Sequence, residues 1–213
     1  MHLLLTDRLT CPRCGPSFGL VLLMDRMEDR CVLDGSLGCF NCRESYPIVD
    51  GFCDLRPPPR DPLPAAESPP ADPDAEESVR LAALLGLVEG GGSILLLGST
   101  ARHAAPVVGM VEGVEVVVAS QELMAIPEST EVNRMAVSGA LPFKSGVLRG
   151  VALTGGEEGL LEEVVRVTAP IGRIVVLEST PETERRIRDL GLEVLIAEGE
   201  VVVAARAARP GTG

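Results

Sequence analysis

Four of the six cysteines stand in two C-x-x-C pairs, Cys11-Pro12-Arg13-Cys14 and Cys39-Phe40-Asn41-Cys42, separated by 24 residues. Each tight turn points two thiolates at one ion, and two turns complete the tetrahedron that zinc accepts from four sulfurs at about 2.3 Å. A shell of four cysteines leaves no position open for substrate, so the expected ion is structural. A redox C-x-x-C needs only one pair, and a chance cluster of buried thiols needs no spacing at all. The doubled spacing favours the metal over both. Cys31 and Cys53 have no such partner and sit among apolar neighbours, as buried structural thiols do.

Other reactive side chains form no constellation. His2 and His103 have no cysteine or acid at a telling spacing; His103 reads as polar loop surface rather than a general base. Ser99 lies outside any G-x-S-x-G context, which argues against a hydrolase.

The elements that position these residues must be built from small aliphatic side chains. Aromatic residues make up only 2% of the 213 positions, while 46% are hydrophobic, a composition suited to buried parallel strands. The net charge of −12 is spread along the chain: residues 1–56 hold 6 basic and 8 acidic groups, 57–78 hold 1 and 6, and 79–213 hold 12 and 17. With no basic segment and a single Lys, direct nucleic-acid binding is disfavoured. The apolar run from Leu3 to Leu5 gives way to Asp7 and Arg8, far short of a signal peptide or a membrane span. A soluble, cytoplasmic protein without membrane insertion is expected, and in that reducing compartment cysteines point to metal first.

Between Arg56 and Ser78 prolines alternate with alanines and acids, the composition of a solvated spacer. Asp74-x-x-Glu77 predicts a capping box that opens a helix through about Val88, with Gly90–Gly92 ending it. Ile94–Leu97, Val114–Ala119, Val132–Val137, Val147–Leu153 and Arg173–Glu178 read as buried parallel strands. Glu157–Thr168 has a helical apolar face, and Thr180-Pro181 opens a further helix closed by Gly191. Leu192–Ala197 and Val201–Ala205 then form a terminal hairpin. The expected fold is α/β: a doubly wound, mostly parallel sheet with an antiparallel end, preceded by a small zinc ribbon. Its expected division is a ribbon over 1–56, a Pro-rich acidic linker over 57–75, the α/β domain over 76–208 and a tail over 209–213.

Cys11-Pro12-x-Cys14, Leu37-x-Cys39-x-x-Cys42 and Tyr46-Pro47-Ile48-Val49-Asp50-Gly51 together resemble the small zinc-ribbon proteins that activate tRNA, rRNA and protein methyltransferases. That resemblance implies a partner-binding module, the partner being a methyltransferase or a larger complex. The strand order, Leu141-Pro142-Phe143 and the run from Leu161 to Arg173 resemble class I S-adenosylmethionine-dependent methyltransferases.

Against that family's pattern the cofactor contacts are eroded. The glycine-rich turn is here Gly98-Ser99-Thr100-Ala101-Arg102-His103, with one glycine left. The acid for the ribose hydroxyls is replaced at Ala119 and Ser120, with Glu122 the nearest carboxylate, and the acid near the adenine by Ser138. The acid of the fourth strand is replaced by Arg149, and Pro170-Ile171-Gly172 stands for Pro-Gly-Gly. If the cofactor binds, it meets Gly98, Ser99, Ser120, Glu122 and Ser138. The expectation is a pseudo-methyltransferase with no catalytic residues, an interaction or scaffold protein. The alternative is an active methyltransferase acting on RNA, protein or a small metabolite.

Overall fold

The computed structural model describes residues 1–63, 73–119 and 132–206. A 3₁₀ turn, Leu3–Arg8, leads through the first knuckle into four antiparallel strands: β1 (Val21–Glu28), β2 (Cys31–Gly38), β3 (Ser45–Val49) and β4 (Phe52–Asp54). Two of the hairpins close on two-residue turns with both φ positive, at Asp29-Arg30 and at Asp50-Gly51. Such turns match the right-handed twist of the strands they join. Asp-Gly announces itself in the sequence; Asp29-Arg30 does not.

The second half alternates α1 (Ala75–Leu84), β5 (Ser93–Leu97), α2 (Ala104–Met110), β6 (Glu115–Ala119), β7 (Val132–Ala136), β8 (Leu148–Thr154), α3 (Leu161–Val167), β9 (Thr168–Leu177), α4 (Pro181–Asp189), β10 (Leu192–Glu198) and β11 (Val201–Arg206). Strands β5 to β9 run parallel, and β10 and β11 form the antiparallel end. β5, β6 and β7 are almost wholly buried; β5 and β6 read as near-continuous apolar runs, while β7 carries the buried Asn133 and Arg134 among its apolar residues.

The ribbon and the α/β unit share one sheet, in the order β1-β2-β3-β4-β7-β6-β5-β8-β9-β11-β10. The junction is β4 lying parallel to β7, with Phe52 opposite Arg134, Cys53 opposite Met135 and Asp54 opposite Ala136. The core is joined as well: ribbon residues Leu9, Leu37, Tyr46, Ile48 and Leu55 belong to the same buried cluster as Leu95, Val117, Met135 and Phe143. The ribbon therefore has a core of its own to share, and a metal is not its sole source of burial.

Several expected boundaries move for identifiable reasons. α1 stops at Leu84 instead of about Val88, because Gly86 takes φ +71°. Gly86 N then donates to Ala83 O and Leu87 N to Ala82 O, the paired bonds of a Schellman terminus, with Leu87 buried beneath. Asp74 caps α1 by accepting from Glu76 N, but the expected box with Glu77 does not form, because the Glu77 carboxylate pairs with Arg102 instead. β9 starts at Thr168 rather than Arg173, so Pro170-Ile171-Gly172 is an irregularity within the strand. A Cβ on Gly172 would lie 2.7 Å from Arg149 O, which leaves no room for another residue. At the proline-rich stretch, Arg60 stacks 5.1 Å over the Tyr46 ring and Leu63 packs on the core.

Candidate metal centre and cofactor edge

Both knuckles are built the same way. Gly15 N donates to Cys11 O at 2.9 Å and Arg43 N to Cys39 O at 2.8 Å, and each closing residue has positive φ. This bends the two cysteines of each pair towards one point. Cys11 Sγ lies 3.7 Å from Cys42 Sγ and Cys14 Sγ 3.8 Å from Cys39 Sγ, with all four sulfurs within 4.8 Å of one another. A tetrahedron of sulfurs around zinc at 2.3 Å has edges of about 3.8 Å, so the donor set fits the ion.

Two side chains also reach the sulfurs. Asn41 Nδ2 donates to Cys14 Sγ at 3.3 Å, and the buried Tyr46 hydroxyl lies 3.5 Å from Cys11 Sγ. Such outer donors orient ligands and spread their charge. Desolvation, against the Glu44 backbone N–H and with the neighbouring sulfurs of Cys14, Cys39 and Cys11, pushes the Cys42 thiol up to about 12. Four ionised sulfurs this close require a cation among them. Cys31 and Cys53 are buried away from the cluster, and burial pushes the Cys53 thiol up to about 12, an inert structural setting.

At the carboxyl edge of the parallel strands, β6 lies between β7 and β5, so the segments that leave β5 and β7 start on either side of it. Gly98 and Ser99 follow β5, and Ser138 follows β7 in a small bridge to Ala140. Ser120 and Glu122 lie outside the described residues. The turn after β5 is a 3₁₀ helix, Gly98–His103, rather than an open glycine loop. Thr100 Oγ1 ties it down by donating to Leu97 O at 2.8 Å, with Ala152 O at 3.2 Å. A Cβ on Gly98 would lie 3.1 Å from Glu157 Oε1, so a carboxylate side chain already rests against the one glycine.

Two expectations at this edge change. Arg149 is not there: it stands near the start of β8 and its guanidinium braces the carbonyls of Gly86, Glu89 and Gly91 at 3.0, 2.6 and 3.0 Å. Its presence in place of an acid carries no information about a cofactor. His103 is not loop surface but 2% exposed. Ser78 Oγ donates to Asp74 O at 3.2 Å and accepts from His103 Nδ1 at 2.9 Å, while Arg102 Nε donates to His103 Nε2 at 3.3 Å. Both ring nitrogens are used, so the imidazole locks α1 to the turn and has no free nitrogen for proton transfer.

Burial, and then the Arg102 charge, hold the His103 pKa below its ordinary value against the opposing pull of Glu77. The folded chain thus binds this proton less readily than the unfolded one, whose histidine titrates near 6.5. His103 favours the fold fully above about pH 6.5, and that contribution fades as pH falls through the lower folded value. Urea titrations of the wild type and His103→Gln between about pH 5 and 8 should differ in slope only on the acid side. Parallel curves would remove His103 from the pH dependence.

Residues 2–51 match the Trm112p-like protein family. No curated protein matches the chain in sequence. Among solved structures, the precorrin-6y C5,15-methyltransferase from Geobacter metallireducens has a TM-score of 0.50 at 15% identity, covering 66% of this chain and 93% of that one. Geranyl diphosphate methyltransferase in complex with SAM gives 0.50 at 14%, over 63% and 86%. The [4+2]-cyclase SpnF gives 0.51 at 16%, over 64% and 63%. At these identities the likeness is one of fold. The chain thus joins a Trm112p-like segment, residues 2–51, to a methyltransferase-like α/β fold.

Proposed function

We propose that this chain is a non-catalytic interaction subunit in which a zinc-holding ribbon serves its own methyltransferase-like unit, the two acting as one rigid body within a larger assembly. The observation that carries this is the parallel pairing of β4 with β7, which merges ribbon and α/β unit into one sheet. The resemblance of the ribbon is to proteins that work by docking on methyltransferases. Here the sheet edge it offers at β4 is already taken by a methyltransferase-like fold in the same chain. The partner is then a protein meeting some other surface, in the cytoplasm, and the acidic charge disfavours nucleic acid as a direct ligand.

The non-catalytic part of the reading rests on the 3₁₀ turn at Gly98–His103, on Glu157 against Gly98 and on the absence of a histidine free to act as base among the described residues near that turn. The fold alone does not choose a reaction, since it carries both methyltransferases and a cyclase. Calorimetric titration of the zinc-loaded chain with S-adenosylmethionine and S-adenosylhomocysteine tests it. No heat of binding is expected. Micromolar affinity, about −8 kcal/mol, would overturn the reading and favour an active methyltransferase instead.

A further inference from the structure

Tyr46 is the only tyrosine of the chain, and it is fully buried. β3 alternates exposed and buried residues, which turns Tyr46 and Ile48 inward, and its register sets Tyr46 opposite Leu37, two residues before the second knuckle. The side chain belongs to the buried cluster of Leu9, Leu37 and Leu55, where a hydroxyl without a partner would be costly. Among the described residues the partner of that hydroxyl is Cys11 Sγ, 3.5 Å away. A neutral thiol accepts a hydrogen bond weakly, whereas an ionised sulfur accepts strongly, so the pair suits Cys11 as a thiolate. Four thiolates around one divalent ion leave negative charge in excess, which calls for donors around the sulfurs. Asn41 supplies one to Cys14 at the exposed side; Tyr46 supplies one to Cys11 at the buried side.

The ring is held in turn by Arg60, whose guanidinium carbon lies 5.1 Å from its centroid, within cation–π range. A positive charge over the ring draws electron density from the phenol and makes its O–H a better donor. Arg60 is fixed from two sides: Nε donates to Arg56 O at 2.5 Å and Nη2 to Ser45 O at 3.1 Å. Arg56 is itself pinned by a bidentate pair with Asp54, at 2.9 and 2.8 Å, both side chains largely buried. The stretch from Asp54 to Arg60 thus folds back on the start of β3 as a strap.

We infer that Tyr46 and Arg60 are positioning residues of the metal centre: the Tyr46 hydroxyl donates to ionised Cys11, and Arg60, carried by the strap, holds and polarises that ring. The centre then extends past residue 56, the expected end of the ribbon, into the proline-rich stretch. The inference rests on the ribbon holding zinc.

Two measurements on the full chain test it. Competition with a chromogenic chelator gives the zinc affinity, and the cobalt(II)-loaded chain gives the sulfur-to-metal charge-transfer band. Tyr46→Phe keeps the ring and removes the hydroxyl. It is expected to weaken zinc binding about ten- to a hundredfold, the range for loss of an outer donor. It should also move the cobalt band to longer wavelength, because a thiolate that loses its hydrogen bond gives up charge more easily; a merely structural defect would leave the band in place. Arg60→Gln should weaken binding about two- to fivefold with Tyr46 present and have no effect in the Tyr46→Phe background. Unchanged affinity and band in Tyr46→Phe, or an Arg60→Gln effect of equal size in both backgrounds, would overturn the inference. Should Tyr46→Phe fail to fold, the cobalt band of Arg60→Gln serves instead: a shift to longer wavelength supports the inference, and an unmoved band overturns it. A wild type that takes up neither metal would overturn the zinc ribbon itself, and this inference with it.

Discussion

Removing the metal, by chelation or by Cys39→Ser, is expected to unfold more than the ribbon. Structural zinc supplies on the order of 10 kcal/mol to small domains, as much as the whole stability of many proteins. In an independent ribbon that loss would stay local. Here Cys11 and Cys39 are buried in the cluster that also holds Leu95, Val117 and Met135, and β4 is the hydrogen-bonded neighbour of β7. Melting of the ribbon would strip the central sheet of its flank and expose Phe52 and Met135 together. Scanning calorimetry should show one transition, at least about 10 °C lower without metal. Two transitions, the hotter one unchanged by chelation, would mean that the ribbon and the α/β unit unfold separately. Because thiolates bind and thiols do not, acidification should release the ion along the same course.

The second large effect is expected at Phe143, a fully buried side chain far in sequence from the knuckles. Its segment is held from both sides. Thr10 N donates to Pro142 O and Lys144 N to Arg8 O, both at 2.9 Å, which attaches the ribbon. Arg166 donates to Leu141 O at 2.7 Å and Phe143 O at 2.6 Å, and Glu163 accepts from Leu141 N at 2.9 Å, which attaches α3. The ring fills the core under this double clasp, so Phe143→Ala leaves a cavity that neither unit can close without moving the other. A loss of about 3 to 5 kcal/mol is expected by urea unfolding, with zinc content unchanged in the folded protein. Phe40→Ala, at a residue 71% exposed, should change stability by less than about 0.5 kcal/mol. A Phe143 effect as small as that of Phe40 would show that the segment is not the junction described.

The cluster of four sulfurs was legible in the sequence because each C-x-x-C turn is local: spacing alone brings two sulfurs together, and the repeat of the motif supplies the other pair. The donors that support them were not legible. Asn41 reaches Cys14, and Tyr46 reaches Cys11, across the gap between the knuckles, and nothing about a lone tyrosine or a variable knuckle position announces that. α4 was readable to the residue: Thr180 and Thr183 cap it reciprocally, Pro181 follows the cap and Gly191 takes φ +76° beyond the end. The end of α1 was misread because four glycines follow it closely and only folding selects Gly86, where Leu87 finds a buried site.

His103 and Arg149 show the same limit in the α/β unit. Their types permitted several roles. The choice came from neighbours remote in the chain, Ser78 for one and the Gly86–Gly91 carbonyls for the other. β4 is the extreme case: three residues with no periodicity to detect, whose pairing with β7 decides how the two halves of the chain relate.

By itself, the sequence determined much of what depends on contacts within a few residues: the four-cysteine set, the caps of α4, the Asp-Gly turn and most of the apolar runs that become buried strands. The tertiary structure decided which strand lies beside which and which polar groups are buried. Local preferences act through backbone dihedrals and near neighbours, whereas strand order, burial and a shared core come from segments whose meeting is settled only when the whole apolar surface closes at once.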